Sequence, residues 1–145
     1  MKRGKLNKLS KREIPKLHRE LWEVFSPMIK NRDKWTCITC SKKGDGQAMN
    51  AGHFKPQGTY PSIKYDTKNV HAQCSGCNKW KHGMLDVYSE KMIEKYGQDI
   101  LKELSARAKL KFDYTPQRLM DLTDAAYQGI KKFEEVYESM RPKMV

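Results

Sequence analysis

Four cysteines, one histidine and two asparagines between Trp35 and Lys81 have the types and spacing to do chemistry. Cys37 and Cys40 form one Cys-x-x-Cys pair, and Cys74 and Cys77 form another. Each pair is short enough for both thiolates to reach one ion from a tight turn, which predicts a structural zinc ion held by all four sulfurs. His53 lies between the pairs, Asn69 stands five residues before Cys74, and Asn78 directly follows Cys77. A plain zinc knuckle needs none of those three. Phosphodiester hydrolysis does need a base for water, a divalent cation at the phosphoryl group, and groups that orient both. A neutral His53 imidazole is such a base near pH 7, with Asn69 or a backbone carbonyl on the facing strand to fix its tautomer. Asn78 offers a neutral oxygen to a hard cation such as Mg²⁺ or Mn²⁺, which keeps most of its waters and needs few protein ligands. The alternative is a noncatalytic Cys₄ module that binds DNA.

The composition narrows the partner. A chain of 145 residues carries one domain with a modest core, or a small core plus helical extensions. Its formal net charge is +12, and residues 1–83 hold 18 of the basic and 6 of the acidic side chains. The charge excess therefore sits with the cysteine region, which favours a polyanionic partner, DNA, over a surface charged only for solubility. No apolar run approaches the roughly 20 residues of a membrane span, and Met1–Ser10 lacks the apolar stretch of a signal peptide. A cytoplasmic protein is expected. In a reducing compartment four cysteines favour metal ligation over two disulfides, the other pairing open to them.

The elements that must position these residues are short. Residues 1–13 read as a flexible basic arm with six basic side chains. From Ile14 the apolar residues Leu17, Leu21, Val24, Phe25 and Met28 recur at helical steps, with Pro27 forcing a kink or a restart capped by Ser26. A restart running to about Arg32 is favoured. Trp22 and Phe25 read as core, and His18 as a surface or packing histidine. Gly44-Asp45-Gly46 signals a turn, after which Gln47 to His53 can run as a strand. Residues 54–68 form a long loop of functional rather than spacer character. Asn69 to Gln73 follows as a second strand with Asn69, His71 and Gln73 on one face, and Cys77 to about His82 opens a helix. Beyond Gly83, Leu85, Tyr88, Met92 and Tyr96 share a helical face, Gly97 is a C-cap, and Ile100, Leu101 and Leu104 start another packing helix. After the Thr115-Pro116 cap, Leu119, Leu122, Ala126, Ile130, Phe133, Tyr137 and Met140 trace a heptad-like seam, free to pack on the domain or on a second copy.

The pattern Cys-x-x-Cys, x-Gly-His, Asn-x-x-x-x-Cys-x-x-Cys-Asn-x-x-Lys resembles the HNH, or His-Me finger (ββα-metal), nuclease superfamily in its HNN form. Within it, AGHF, NVHAQCSGCN and YGQDILKEL resemble the lambda-type phage NinG, or Rap, recombination endonucleases. The motif ending in Cys-Asn is also similar to that of the junction-resolving endonuclease of T-even phages. The likeness covers roughly Ile14 to Leu104. It implies an α+β fold, a small zinc-stapled ββα-metal core with flanking N- and C-terminal helices. It implies His53 as general base, Asn78 as ligand of the catalytic Mg²⁺ or Mn²⁺, Asn69 as the residue holding the base loop, and structural zinc on the four cysteines. The expected organisation is a basic arm to residue 13, a nuclease domain over 14–108, and a C-terminal helix over 109–145 that can join a homodimer. The implied activity is cleavage of branched recombination intermediates, four-way junctions and D-loops, in the host cytoplasm if the chain is phage-encoded. The rivals are an HNH nickase or restriction-type nuclease on linear duplex, and the zinc-knuckle binding protein. Relatives often carry Asp or His before the base, where this chain has Gly52. His82, four residues after Asn78 on the same expected helical face, is either a further metal ligand or an exposed helix-end histidine. His71 either touches substrate or metal, or is a satisfied strand histidine. Lys55, Lys64, Lys79 and Lys81 are candidate phosphate contacts.

Overall fold

Ile14 to Arg32 form one uninterrupted α-helix, α1, with Pro27 inside it. The remaining elements are strands β1 (Met49–His53) and β2 (Val70–Cys74) and helices α2 (Leu85–Tyr96), α3 (Ile100–Lys109), α4 (Pro116–Gln128) and α5 (Ile130–Met140). They are those of a computed structural model that describes residues 13–44 and 48–143. The basic arm through Arg12, the tip Asp45-Gly46 and the start of the expected strand at Gln47 lie outside the described residues. Pro27 removes one ladder bond, yet the expected restart at Ser26 does not occur. The turns beyond it are held from their own side. Ile29 is fully buried, and the Arg32 guanidinium donates to the carbonyls of Thr67 and Val70, each at 2.7 Å.

The chain forms two compact units. The first joins the described residues up to Met28 with Asp113–Arg141. Its core is Leu21, Phe25, Leu119, Leu122, Ala125, Phe133 and Tyr137. The Phe25 and Phe133 rings meet at 5.2 Å and those of His18 and Tyr114 at 5.1 Å. Thr115 caps α4 by accepting from the Arg118 N–H, with Pro116 in the first turn, as its sequence requires. The seam does not form one helix. Gly129 takes φ 115°, a conformation open to glycine, and the chain turns there from α4 into α5. Leu119, Leu122, Phe133 and Tyr137 are buried in the unit's own core.

The second unit holds Ile29–Phe112 and the site. β1 and β2 pair antiparallel, with Met49 opposite Cys74, Gly52 opposite His71 and His53 opposite Val70. Every residue of β2 is buried. Tyr88, Met92, Ile100 and Leu104 of α2 and α3 make a core cluster flanked by Ile38, Phe54 and Tyr96, while Leu85 faces outward at 47 % exposure. Gly97 closes α2 at φ 97°. After Cys77 the expected helix is replaced by one π-type turn (Gly76–Trp80) and a 3-10 turn (His82–Met84). His82, Gly83 and Met84 all take positive φ, which ends helical periodicity after Asn78. Among the described residues no helix is long and apolar enough to cross a membrane.

Candidate metal centre and active site

The two Cys-x-x-Cys turns bring their sulfurs together. Cys40 Sγ is 3.7 Å from Cys74 Sγ, and all four sulfurs lie within 4.8 Å of one another. Four sulfurs about 2.3 Å from a central zinc stand at about that separation, whereas a disulfide needs about 2 Å. All four thiols are free of disulfides. Burial pushes the Cys37 thiol up, but the Thr39 hydroxyl at 3.2 Å and the N–H groups of Cys40, Cys74 and Thr39 outweigh it and bring it down to about 6. Burial and the neighbouring thiols push Cys40 up to about 12. Four thiols packed this closely form a donor set that suits zinc.

His53 ends β1 half-buried, with Nε2 2.9 Å from the carbonyl oxygen of Lys64. A carbonyl only accepts, so the neutral ring carries its proton on Nε2 and its basic lone pair on Nδ1. The carbonyl comes from the 54–68 connection, not from the facing strand. Burial holds the imidazole below its ordinary pKa, the Lys64 carbonyl partly restores it, and the Lys64 ammonium lowers it again.

That connection is no slack loop. Asn69 is fully buried, accepts from the Lys55 N–H at 2.9 Å, and donates to the carbonyls of Lys55 and Ile63 at 3.1 and 3.2 Å. Ile63 and Tyr65 are buried. Asp66, 2 % exposed, accepts from Arg107 of α3 at 2.8 Å, and Arg107 also bonds Glu103. Sequence reasoning missed Asp66 and Arg107 because an ion pair 41 residues apart leaves no local pattern.

Gly52 is where β1, β2 and the second knuckle converge. A Cβ on Gly52 would stand 2.5 Å from Gln73 Oε1 and 3.2 Å from Asn78 Oδ1. Gln73 is fully buried. Its Nε2 donates to the carbonyl of Gly83 at 2.7 Å and to Thr39 Oγ1 at 3.3 Å, and its Oε1 has no hydrogen-bond partner among the described residues. Asn78 is half-buried on the π-type turn.

Two histidines that the sequence leaves open take the structural alternative. His71 is fully buried, with Nδ1 3.1 Å from the Tyr88 hydroxyl and Nε2 2.7 Å from that of Tyr96, so it is a core histidine. Burial, then the Arg32 charge, holds it well below its ordinary pKa. His82 does not share a helical face with Asn78, because the helix ends before it; it is exposed and lines a separate depression of about 380 Å³ with Lys81 and Leu85. Lys79 and Lys81 are exposed. Lys55 and Lys64 are half-buried, their ammonium groups 4.8 and 5.3 Å from the ring centres of Tyr60 and Tyr65.

Fold and site define a basic α+β protein whose two-stranded hairpin is pinned beside a four-cysteine cluster that could hold zinc. The chain belongs to the bacteriophage lambda NinG protein family, whose model matches residues 2–136. It is 29 % identical over 136 residues to Protein ninG of Salmonella phage P22, covering 82 % of this chain and 66 % of that one. It is 28 % identical over 106 residues to Protein ninG of Escherichia phage lambda, covering 69 % and 52 %. Protein ninG of Escherichia phage 933W is 29 % identical over 106 residues with the same coverage. The chain thus spans about half to two thirds of the length of these relatives. No solved structure matches it.

Proposed function

We propose that this chain is a metal-dependent DNA endonuclease of the HNH, or His-Me finger, type that cuts branched DNA such as four-way junctions. The observation that carries the reading is His53, whose Nε2 is committed to the Lys64 carbonyl and whose Nδ1 therefore bears the lone pair of a base. Held below its ordinary pKa, the ring stays neutral at pH 7. In the reaction His53 Nδ1 takes a proton from water, the water oxygen forms a bond to phosphorus, and the bond from phosphorus to the leaving sugar oxygen breaks, that oxygen taking a proton from solvent. A Mg²⁺ or Mn²⁺ ion near Asn78 would supply charge stabilisation at the phosphate. Asn69 keeps the Lys64 carbonyl in reach of His53 by tying down both Lys55 and Ile63. Lys55, Lys64, Lys79 and Lys81 supply phosphate contacts, and the charge excess of residues 1–83 agrees.

The test is cleavage of a four-way junction beside linear and nicked duplex of the same sequence, with Mg²⁺ or Mn²⁺. Cutting confined to the junction, lost in His53→Ala with binding retained, is the expected result. Equal cutting of all three substrates would instead indicate a general nuclease, and binding without cutting a zinc-knuckle DNA-binding protein.

A further inference from the structure

Gln73 Oε1 is an anomaly in an otherwise satisfied site. A buried amide oxygen without a partner costs about 1–3 kcal/mol, and nothing in the fold offsets it among the described residues. An exchanged oxygen and nitrogen would not remove the problem. Both N–H bonds of Nε2 are used, one on the Gly83 carbonyl, which only accepts, and one on Thr39 Oγ1. Gly83 takes φ 81° to present that carbonyl, so the amide has one orientation and its oxygen is turned toward Gly52. There it occupies the space that a side chain on residue 52 would need, which only glycine leaves open.

Asn78 Oδ1 lies 3.2 Å from the same point. The two oxygens lie no farther apart than about 5.7 Å, the sum of their distances from the Gly52 Cβ position. Cis ligands of a hexacoordinate cation with metal–oxygen distances near 2.1 Å stand about 3 Å apart, within that bound. Both residues are also fixed by the cysteine cluster. Gln73 precedes Cys74, Asn78 follows Cys77, and Thr39 joins the Gln73 amide to Cys37 Sγ.

We propose that Gln73 Oε1 is the second protein ligand, beside Asn78 Oδ1, of a hard divalent cation. The proposal rests on the nuclease reading and assigns its cation seat. Half-exposed Asn78 is the point of entry, and Gln73 completes the coordination from inside. Because both ligands are neutral amides, the seat binds weakly and leaves the cation's charge undiminished for a phosphate oxygen. A carboxylate in either place would bind the ion more tightly and blunt it.

Mn²⁺ is the probe, added to the zinc-loaded full chain without DNA. Its affinity is read from the free-ion electron paramagnetic resonance signal, and its position from paramagnetic broadening of the Gly52, Gln73 and Asn78 amide resonances. In the wild type these three should broaden first. Gln73→Met should weaken Mn²⁺ about tenfold or more, and Gln73→Glu, which keeps an oxygen and adds charge, should tighten it by a similar factor. Gln73→Glu sets a carboxylate oxygen against the Gly83 carbonyl, so if either variant fails to fold, the wild-type Gln73 side-chain amide protons decide: they broaden as strongly as those of Asn78 if Oε1 is a ligand, and more weakly if it is not. Mn²⁺ bound at Asn78, lost in Asn78→Ala but unchanged by either Gln73 substitution, would overturn the role of Gln73 and leave the nuclease reading standing. In that event Oε1 merely faces the Cα–H of Gly52. No broadening near Gly52 at millimolar Mn²⁺, together with no junction cleavage, would sink both.

Discussion

Asn69 separates a scaffold from a reactive group, and replacing it tests which it is. Its carboxamide makes three hydrogen bonds to backbone groups of the 54–68 connection, at 2.9, 3.1 and 3.2 Å, from a position with no solvent exposure. Each such bond contributes about 1 kcal/mol net, so Asn69→Ala should cost about 3 kcal/mol. In a chain of this length that is a drop of about 10 °C in the midpoint of the unit that holds the hairpin. The loop itself should loosen before the unit melts. Amide hydrogen exchange should therefore rise at Lys55, Ile63 and the residues between them, with little change in α4 and α5. Cleavage should fall because the Lys64 carbonyl no longer holds the His53 ring, and His53 should lose its single tautomer in nitrogen-resolved NMR. Asn69→Asp keeps the acceptor for Lys55 N–H but sets a carboxylate against two carbonyls, so it should be no more stable than the alanine variant near neutral pH. A melting temperature unchanged in Asn69→Ala while cleavage disappears would refute this account and move Asn69 into direct contact with the reacting groups.

Other expectations are narrower. Purified chain should contain one zinc per molecule, and removing it with a chelator or by Cys74→Ser should unfold the second unit, as seen by loss of the hairpin signals. Arg107→Leu leaves the Asp66 carboxylate buried without its partner and should cost about 3–5 kcal/mol, most of it recovered in Arg107→Leu/Asp66→Asn; equal melting of single and double variants would dismiss the coupling. Buried His71 and half-buried His53 both have depressed pKa values, so the unfolded chain takes up protons first. Their contribution to stability is complete above about pH 6.5 and declines as the pH falls below it. Denaturant midpoints measured from pH 8 to 5 should show that decline, and His71→Asn should flatten most of it. DNA affinity should fall linearly on logarithmic axes as salt rises, and a flat titration would exclude the basic half as the binding surface.

The cysteine pairs were legible because ligand spacing is local and zinc geometry is strict: two short turns suffice to foretell four sulfurs within 4.8 Å. Caps were legible for the same reason, Thr115-Pro116 and Gly97 each acting within a turn of themselves. What failed were inferences that carried a helical period across a break. The heptad steps from Leu119 to Met140 pass through Gly129 without disturbing the count, yet φ 115° there turns one helix into two that bury the seam themselves. The step from Asn78 to His82 looked like one helical face, but three successive residues with positive φ ended the helix first. Pro27 erred the other way, since burial of Ile29 and the bonds of Arg32 sustain a helix that local propensity would stop. His71 was undecidable from alternation alone. Its two tyrosine partners lie 17 and 25 residues away, and only their hydroxyl contacts make it a core residue.

The same long-range contacts explain how the His53 ring is fixed at the end of so short a strand. His53 has Val70 opposite it in the register, and β1 alone sets only the direction of its side chain. Rotation of the ring is settled by the Lys64 carbonyl, and that carbonyl is held from two sides: by Asn69 through Ile63 and Lys55, and by Arg107 through Asp66 two residues farther on. Loss of either clamp should therefore reach His53 through the loop backbone. Under the nuclease reading, Asn69→Ala and Arg107→Leu/Asp66→Asn then lower cleavage without altering Mn²⁺ affinity at Asn78, whereas Asn78→Ala does the reverse to the metal and leaves the His53 tautomer intact. On that reading His53 and the proposed cation seat hang on different supports, the loop for one and the cysteine cluster for the other, and they should fail separately.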